Sequence, residues 1–166
     1  MSAAAGSVYD TFHGQGFNGS AGNGYITSGW GKPGGPGASW ANGPSGKLIT
    51  ESSGIFSFPS TGIYYVSFQL GGYAQNVNNR IIGNRIYTTN SNQNPPPNEK
   101  AHAQFNVKSF SGISNGVGYG LCLAECILKI TNTSNDKVAF WWQSENNYVI
   151  GGGTDQMAIF YKLADL

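Results

Sequence analysis

The sequence predicts an all-β protein: a two-sheet antiparallel jelly-roll sandwich with no substantial helix. Residues that favour pleated strands (Val, Ile, Phe, Tyr, Trp and Thr) number 50 of 166, whereas Leu contributes seven and Glu four. No window of a dozen residues combines a 3.6-residue apolar period with freedom from Gly and Asn. Short apolar segments are instead separated by turns rich in Gly, Asn and Pro, a pattern typical of sandwiches and barrels.

Eight to ten segments have the length and composition of strands, the number that a two-sheet jelly roll requires. The clearest covers residues 63–70, in which every second side chain from Tyr64 to Leu70 is apolar and would lie on one face. Residues 90–98 form a loop, because three consecutive prolines cannot donate to a strand ladder. The predicted strands cover residues 8–12, 25–30, 47–51, 54–58, 63–70, 80–88, 103–107, 119–131, 138–143 and 156–163.

The chain divides into two predicted segments. Residues 1–46 form a Gly-rich N-terminal arm studded with aromatic residues, and residues 47–166 form the jelly-roll domain. The arm holds just over half of the chain's 25 glycines, and its aromatics indicate docking on its own domain or on a neighbour. The alternative, in which the arm supplies the first strands of the jelly roll, stays open. The docking candidates are Phe12, Phe17, Trp30 and Trp40.

The charge pattern limits the possible partners. Charged residues make up 10% of the chain, compared with about 25% in an average soluble domain, and the net charge is +1. Nine dispersed Lys and Arg residues do not form the basic patch on which nucleic-acid binding depends. No run approaches the ~18 apolar residues of a membrane span. The expected partners therefore include neither nucleic acid nor membrane.

No residues nominate a catalytic, cofactor or metal site. His13 and His102 are far apart, and a hydrolytic triad would also need an activated nucleophile and an orienting acid. The eight acidic residues are isolated from one another. Cys122 and Cys126 would lie about 13 Å apart on a strand, beyond the ~7 Å limit for a disulfide. We therefore expect a protein without cofactors that is not an enzyme and carries two free thiols.

Residues 53–68 resemble a known superfamily. They read Ser-Gly-Ile-Phe-Ser-Phe-Pro-Ser-Thr-Gly-Ile-Tyr-Tyr-Val-Ser-Phe. This is similar to the early strands of the complement globular-head and tumour necrosis factor superfamily, which carry Gly-x-Phe, two residues and a Pro, then Gly-x-Tyr with alternating apolar residues. The turn before Val138 and the apolar last strand at 157–161 also match. The resemblance covers residues 47–163, although the usual Gly of the turn is Asn135 here.

The resemblance implies a ten-strand jelly roll that works as a tight trimer around an aromatic-lined axis. Consecutive tryptophans on one strand point to opposite faces, so one of them fills the core. The other faces a subunit interface, local packing or a sugar. The candidates for the trimer interface or axis are Tyr65, Trp141, Trp142 and Phe160.

Two functions fit these features. We favour a non-enzymatic structural protein of a virus particle, made in the host cytoplasm and located in the virion. It would be a trimeric head decoration or cement protein, head fibre or fibre tip, attached through its arm to a capsid or fibre protein. The start at Met without an export signal and the neutral, Gly-rich composition favour this role. Deletion of residues 1–46 should then leave a folded trimeric head that no longer attaches to its particle.

The alternative is a secreted, extracellular trimeric ligand or lectin-like recognition module of the same superfamily. It would bind a host surface glycan or receptor through loop residues such as 90–98.

Overall fold

The computed structural model describes residues 9–31, 49–74, 79–91, 95–107 and 119–166. Within these ranges the chain forms thirteen β-strands and no helix. The strands are β1 Tyr9–Gly14, β2 Phe17–Gly19, β3 Gly22–Tyr25, β4 Trp30–Gly31, β5 Thr50–Ser52, β6 Ile55–Ser57, β7 Gly62–Ala74, β8 Asn79–Thr89, β9 Asn98–Val107, β10 Tyr119–Ile130, β11 Lys137–Ser144, β12 Tyr148–Ile150 and β13 Gly153–Ala164.

The described strands form two antiparallel sheets that pack face to face. Sheet A has the order β10-β7-β13-β1-β4, and the short pair β12-β2 continues beside the far end of β7, beyond β13. Sheet B has the order β5-β6-β11-β8-β9, with β3 beside the second half of β11. Two pairs of consecutive strands, β5–β6 and β8–β9, are neighbours in sheet B. The chain crosses between the sheets at other connections, such as β7 to β8 and β10 to β11, as in a jelly roll. The predicted fold class is confirmed.

The core lies between the sheets and is rich in aromatic rings. Strand β7 supplies its centre, since every second residue from Tyr64 to Leu70 is fully buried, as the alternation predicts. Phe56 of sheet B stacks on Phe160 of sheet A with their ring centroids 5.2 Å apart. Aromatic pairs at this separation add to the stabilisation from burial. The largest fully buried side chains are Tyr64, Phe56, Phe68, Phe140, Phe160, Leu70, Ile82, Ile86, Gln156 and Ile150.

Residues 9–31 belong to the sandwich, which corrects the predicted boundary at residue 47. Strand β1 pairs with the last strand, β13, over six residues, and β3 pairs with β11 in the other sheet. Phe12 is 5% exposed, and its ring lies 5.0 Å from that of Phe56. Residues 9–31 therefore supply the first strands of the jelly roll.

The segment predicted as one strand over residues 25–30 is two strands in different sheets. Strand β3 ends at Tyr25 in sheet B, and β4 begins at Trp30 in sheet A. Between them the chain turns at Gly29, whose φ of 83° favours glycine. The indole of Trp30 donates a hydrogen bond to the carbonyl of Ile26 at 3.0 Å. This contact fixes the crossing from one sheet to the other.

Candidate interaction surface

The outward surface of sheet A, called the sheet A face below, is unusually apolar for a surface exposed to water. On β10, the residues Leu121, Leu123 and Ile127 point away from the core and are 47%, 44% and 66% exposed. The inward side chains of the same strand, such as Cys122 and Leu128, are buried. Apolar side chains thus lie on both faces of β10, with Glu125 and Lys129 as the charged residues of the outward face.

The other strands of sheet A extend this surface sideways. The strand register places Ile127 opposite Tyr65, Tyr65 opposite Tyr161, and Tyr161 opposite Tyr9. The rings of Tyr9 and Tyr161 make an edge contact with centroids 6.3 Å apart. Ile159 follows in the next row on the same face. Apolar and aromatic side chains therefore form a continuous band across four strands.

Two carboxylates lie on this face, and each accepts a hydrogen bond from a tyrosine. Tyr65 on β7 donates to Glu125 on β10, and this hydrogen bond, with burial, raises the pKa of Tyr65. Tyr119 reaches from β10 across Gly71 to Asp155, and burial followed by this hydrogen bond raises its pKa to about 12. A Cβ at position 71 would lie 3.2 Å from the Tyr119 hydroxyl, so a larger residue there would crowd the Tyr119 side chain.

This arrangement suits burial against another protein surface. Large exposed apolar patches on soluble proteins mark interaction sites. A polar group is buried at low cost only when its hydrogen bonds are satisfied. The tyrosine hydroxyls already meet part of that need for Glu125 and Asp155 within one chain.

The outward surface of sheet B, called the sheet B face, has a different chemistry. Arg85 forms an ion pair with Glu99 at 2.7 Å and donates to Gln143 at 3.2 Å. Its guanidinium also lies 4.5 Å from the ring centroid of Trp141, and His102 contacts Glu99 at 3.0 Å. Burial alone would raise the pKa of Glu99, but Arg85 and His102 outweigh it and hold the pKa below its usual value. The sheet B face is therefore polar and charged.

The four predicted interface residues lie in four different places. Tyr65 lies on the sheet A face, whereas Trp141 lies on the sheet B face beneath Arg85. Trp142 packs against the edge of the core, 4.8 Å from the ring of Tyr148. Phe160 is fully buried between the sheets of a single chain, so its assignment to an axis is corrected.

The predicted docking residues lie on the chain's own domain where the structure describes them. Phe12 is in the core, and Trp30 packs 5.2 Å from the ring of Phe56. Phe17 on β2 packs 5.2 Å from the ring of Trp142. Trp40 lies outside the described residues.

The sequence reasoning missed most of the sheet A face. The signal was present in β10, where apolar residues occupy both the odd and the even positions from Leu121 to Leu128. A strand that is apolar on both faces is buried on both faces. The same double pattern occurs on β13, from Met157 to Tyr161.

The histidines and the acidic residues form no catalytic cluster in the described structure. His13 lies half-buried on β1, where burial lowers its pKa, and His102 lies on β9 in the other sheet. Among the described residues, no three His, Cys, Asp or Glu side chains converge as a metal site would require. The described part of the chain also holds no helix long and apolar enough to cross a membrane.

Comparisons with known proteins connect this geometry to solved structures. No protein-family model matches the chain, and no curated protein matches it in sequence. Eiger TNF from S. frugiperda superposes with a TM-score of 0.63 at 16% identity, over 96% of this chain and 95% of that one. Murine APRIL at pH 5.0 gives a TM-score of 0.61 at 12% identity, over 93% and 99%. The fold is a tumour necrosis factor-like jelly roll. The fold implied by residues 53–68 is thereby confirmed.

Proposed function

We propose that the protein is a non-enzymatic, homotrimeric recognition module whose subunits pack through the sheet A face. The observation that carries this proposal is the continuous apolar band on β10, β7, β13 and β1. Burying such surface stabilises an assembly by about 25 cal/mol per Å² of apolar area. In a single chain the most exposed members, Ile127 and Tyr119, remain 66% and 55% exposed.

A second copy of the same chain is the partner that the chemistry of this face favours. The described part of this face carries few charges, and its carboxylates, Glu125 and Asp155, each accept a hydrogen bond from a tyrosine within the chain. Soluble homo-oligomers close with point-group symmetry. The number three follows from the superfamily resemblance of residues 53–68, which implies a trimer.

The recognition role belongs to the parts that such a trimer leaves exposed. The sheet B face carries the Arg85, Glu99 and His102 network. We place the module outside the cell, as expected for a secreted ligand of the superfamily that residues 53–68 resemble. It would contact a receptor or a surface glycan there.

Replacement of Ile127 by Glu tests the interface. Because this side chain is 66% exposed in one chain, the single subunit should tolerate the change and keep its strand signal in circular dichroism. In the trimer the change buries an unpaired carboxylate at each interface, which costs several kcal/mol. Light scattering should show wild-type trimers and Ile127→Glu monomers. Thr50→Glu, on the exposed edge strand of sheet B, is the matched control and should remain trimeric. A trimeric Ile127→Glu variant would contradict the proposed interface.

The composition favours a second candidate, a structural role in a virus particle. Charged residues are only 10% of the chain and Gly numbers 25, which suits a neutral subunit held by packing on a lattice. Antibody labelling of purified particles and of the cell-free medium from the source separates the two candidates. Label on particles at regular spacing supports the structural role, whereas label in the medium alone supports the recognition module.

A further inference from the structure

A cleft of about 300 Å³ opens where strands β8, β9, β10 and β11 come together at one end of the sandwich. Three lysines line it, one from each of three strands: Lys100 on β9, Lys129 on β10 and Lys137 on β11. The cleft therefore draws on both sheets. Lys129 is the next outward position after Ile127 on β10, and Ile127 also lines the cleft, so the cleft adjoins the edge of the sheet A face.

These lysines differ from the other cations whose side chains the structure describes. Arg85 is paired with Glu99 at 2.7 Å, and Lys162 is paired with Asp165 at 2.5 Å. Within the described residues, none of the three cleft lysines has a carboxylate within ion-pairing distance. Lys137 donates one hydrogen bond, to the carbonyl of Thr133 at 2.8 Å.

Among the described residues that line the cleft, one is acidic, and its carboxylate accepts hydrogen bonds from backbone amides. Asp136 is 6% exposed, and its Oδ2 accepts hydrogen bonds from the amides of Thr131 at 2.7 Å and Asn132 at 2.9 Å. The carboxylate holds the turn between β10 and β11 in place. The cleft consequently keeps an excess of positive charge.

We propose that this cleft binds one acidic monosaccharide unit, a sugar that carries a carboxylate or a sulfate. Lysine ammonium groups are strong hydrogen-bond donors to such anions. The amides of Asn90 and Asn98, which also line the cleft, offer donors and acceptors for sugar hydroxyls. A volume near 300 Å³ is at the lower end of small-molecule sites, the size of one sugar unit. The inference rests on the proposed recognition function and names its ligand class.

Calorimetry on the full chain with matched sugars tests this assignment. The acidic probes are glucuronate, N-acetylneuraminate and N-acetylglucosamine 6-sulfate, and the neutral probes are glucose and N-acetylglucosamine. At least one acidic probe should bind, with an affinity that falls as salt is added, and the neutral probes should bind at least about tenfold more weakly. Inorganic sulfate should bind more weakly than the best acidic sugar, since it lacks the hydroxyls.

Single Lys100→Gln and Lys129→Gln variants should each weaken the best probe by about five- to twentyfold, because each removes one charged donor. Arg85→Gln removes a positive charge outside the cleft and should leave the affinity within about twofold. Absence of binding by every acidic probe, equal binding of neutral sugars, sulfate binding as tightly as the sugars, or unchanged affinity in both lysine variants would each overturn the proposal.

The outcome is separable from that of the proposed trimer. All the described residues that line the cleft come from one chain, so a monomer in light scattering would refute the trimer while the titration still reports on the cleft. A trimer that binds no acidic sugar would refute the cleft assignment alone.

Discussion

Cys122 and Cys126 face the core from β10, and burial raises their pKa values to about 12 and about 11, from an ordinary value of 9.0. An unfolded chain releases these protons near pH 9, whereas the folded protein retains them. The unfolded state is therefore favoured progressively as pH rises from 9 toward 12.

We expect the free energy of unfolding, measured with urea, to fall between about pH 8 and about pH 10. Cys122 alone should account for about 1 kcal/mol of this loss. The variant Cys122→Ala should show a shallower decline, whatever its absolute stability. An equally steep decline in this variant would show that the thiol is not shielded from water.

At the same scale, the sequence predicted which residues of β7 face the core but not which residues of β13 do. Strand β7 alternates between large apolar and mixed side chains, so Tyr64 and Phe68 could be placed inside. On β13, Phe160 and Tyr161 are both aromatic, and Ala158 and Ile159 before them are both apolar. Only the pairing of β13 with β1 and β7 decides that Phe160 points inward.

At the scale of elements, the strongest expectation concerns β1. Phe12 lies in the core against Phe56 and Phe160, with ring centroids 5.0 and 6.1 Å away. Phe12→Ala should therefore destabilise the folded protein by about 3–5 kcal/mol. Gln15→Ala changes an exposed side chain just after the strand and should stay within about 0.5 kcal/mol. Urea unfolding of both variants measures the difference.

Deletion of residues 1–31 belongs to the same test. It removes the strand beside β13 and the strand beside the second half of β11, so we expect loss of cooperative unfolding. Two results would support a separate arm instead. One is a truncated chain that unfolds with wild-type stability, and the other is a Phe12→Ala variant that loses less than about 1 kcal/mol.

The strands of the N-terminal segment were hard to predict because their composition is that of a linker. Strand β3 reads Gly-Asn-Gly-Tyr, and three of its four residues carry little strand preference. Its place beside β11 comes from pairing with a strong strand rather than from its own side chains. The longer strands, β8, β10 and β11, were predicted within a few residues of their bounds, since strand-favouring residues fill them and turn residues flank them.

At the scale of the molecule, the two faces of the sandwich differ in the roles that we propose for them. The sheet A face is apolar, with its two carboxylates bonded to tyrosines, and it is suited to burial. The sheet B face holds an ion-paired network, and the lysine cleft lies at the junction of both sheets. The composition predicts an association of subunits, because the 22 aromatic residues of the chain outnumber its 17 charged residues. It could not predict the face, which depends on the register of β10, β7, β13 and β1.

The mass of the purified full-length protein in solution tests the central claim most directly. Light scattering at micromolar concentrations should give a mass three times the 17.6 kDa of one chain, and the value should persist on dilution through that range. The sheet A face is then buried between copies. A mass of 17.6 kDa across the range would contradict the account, because it would leave Ile127 and its neighbours exposed to water.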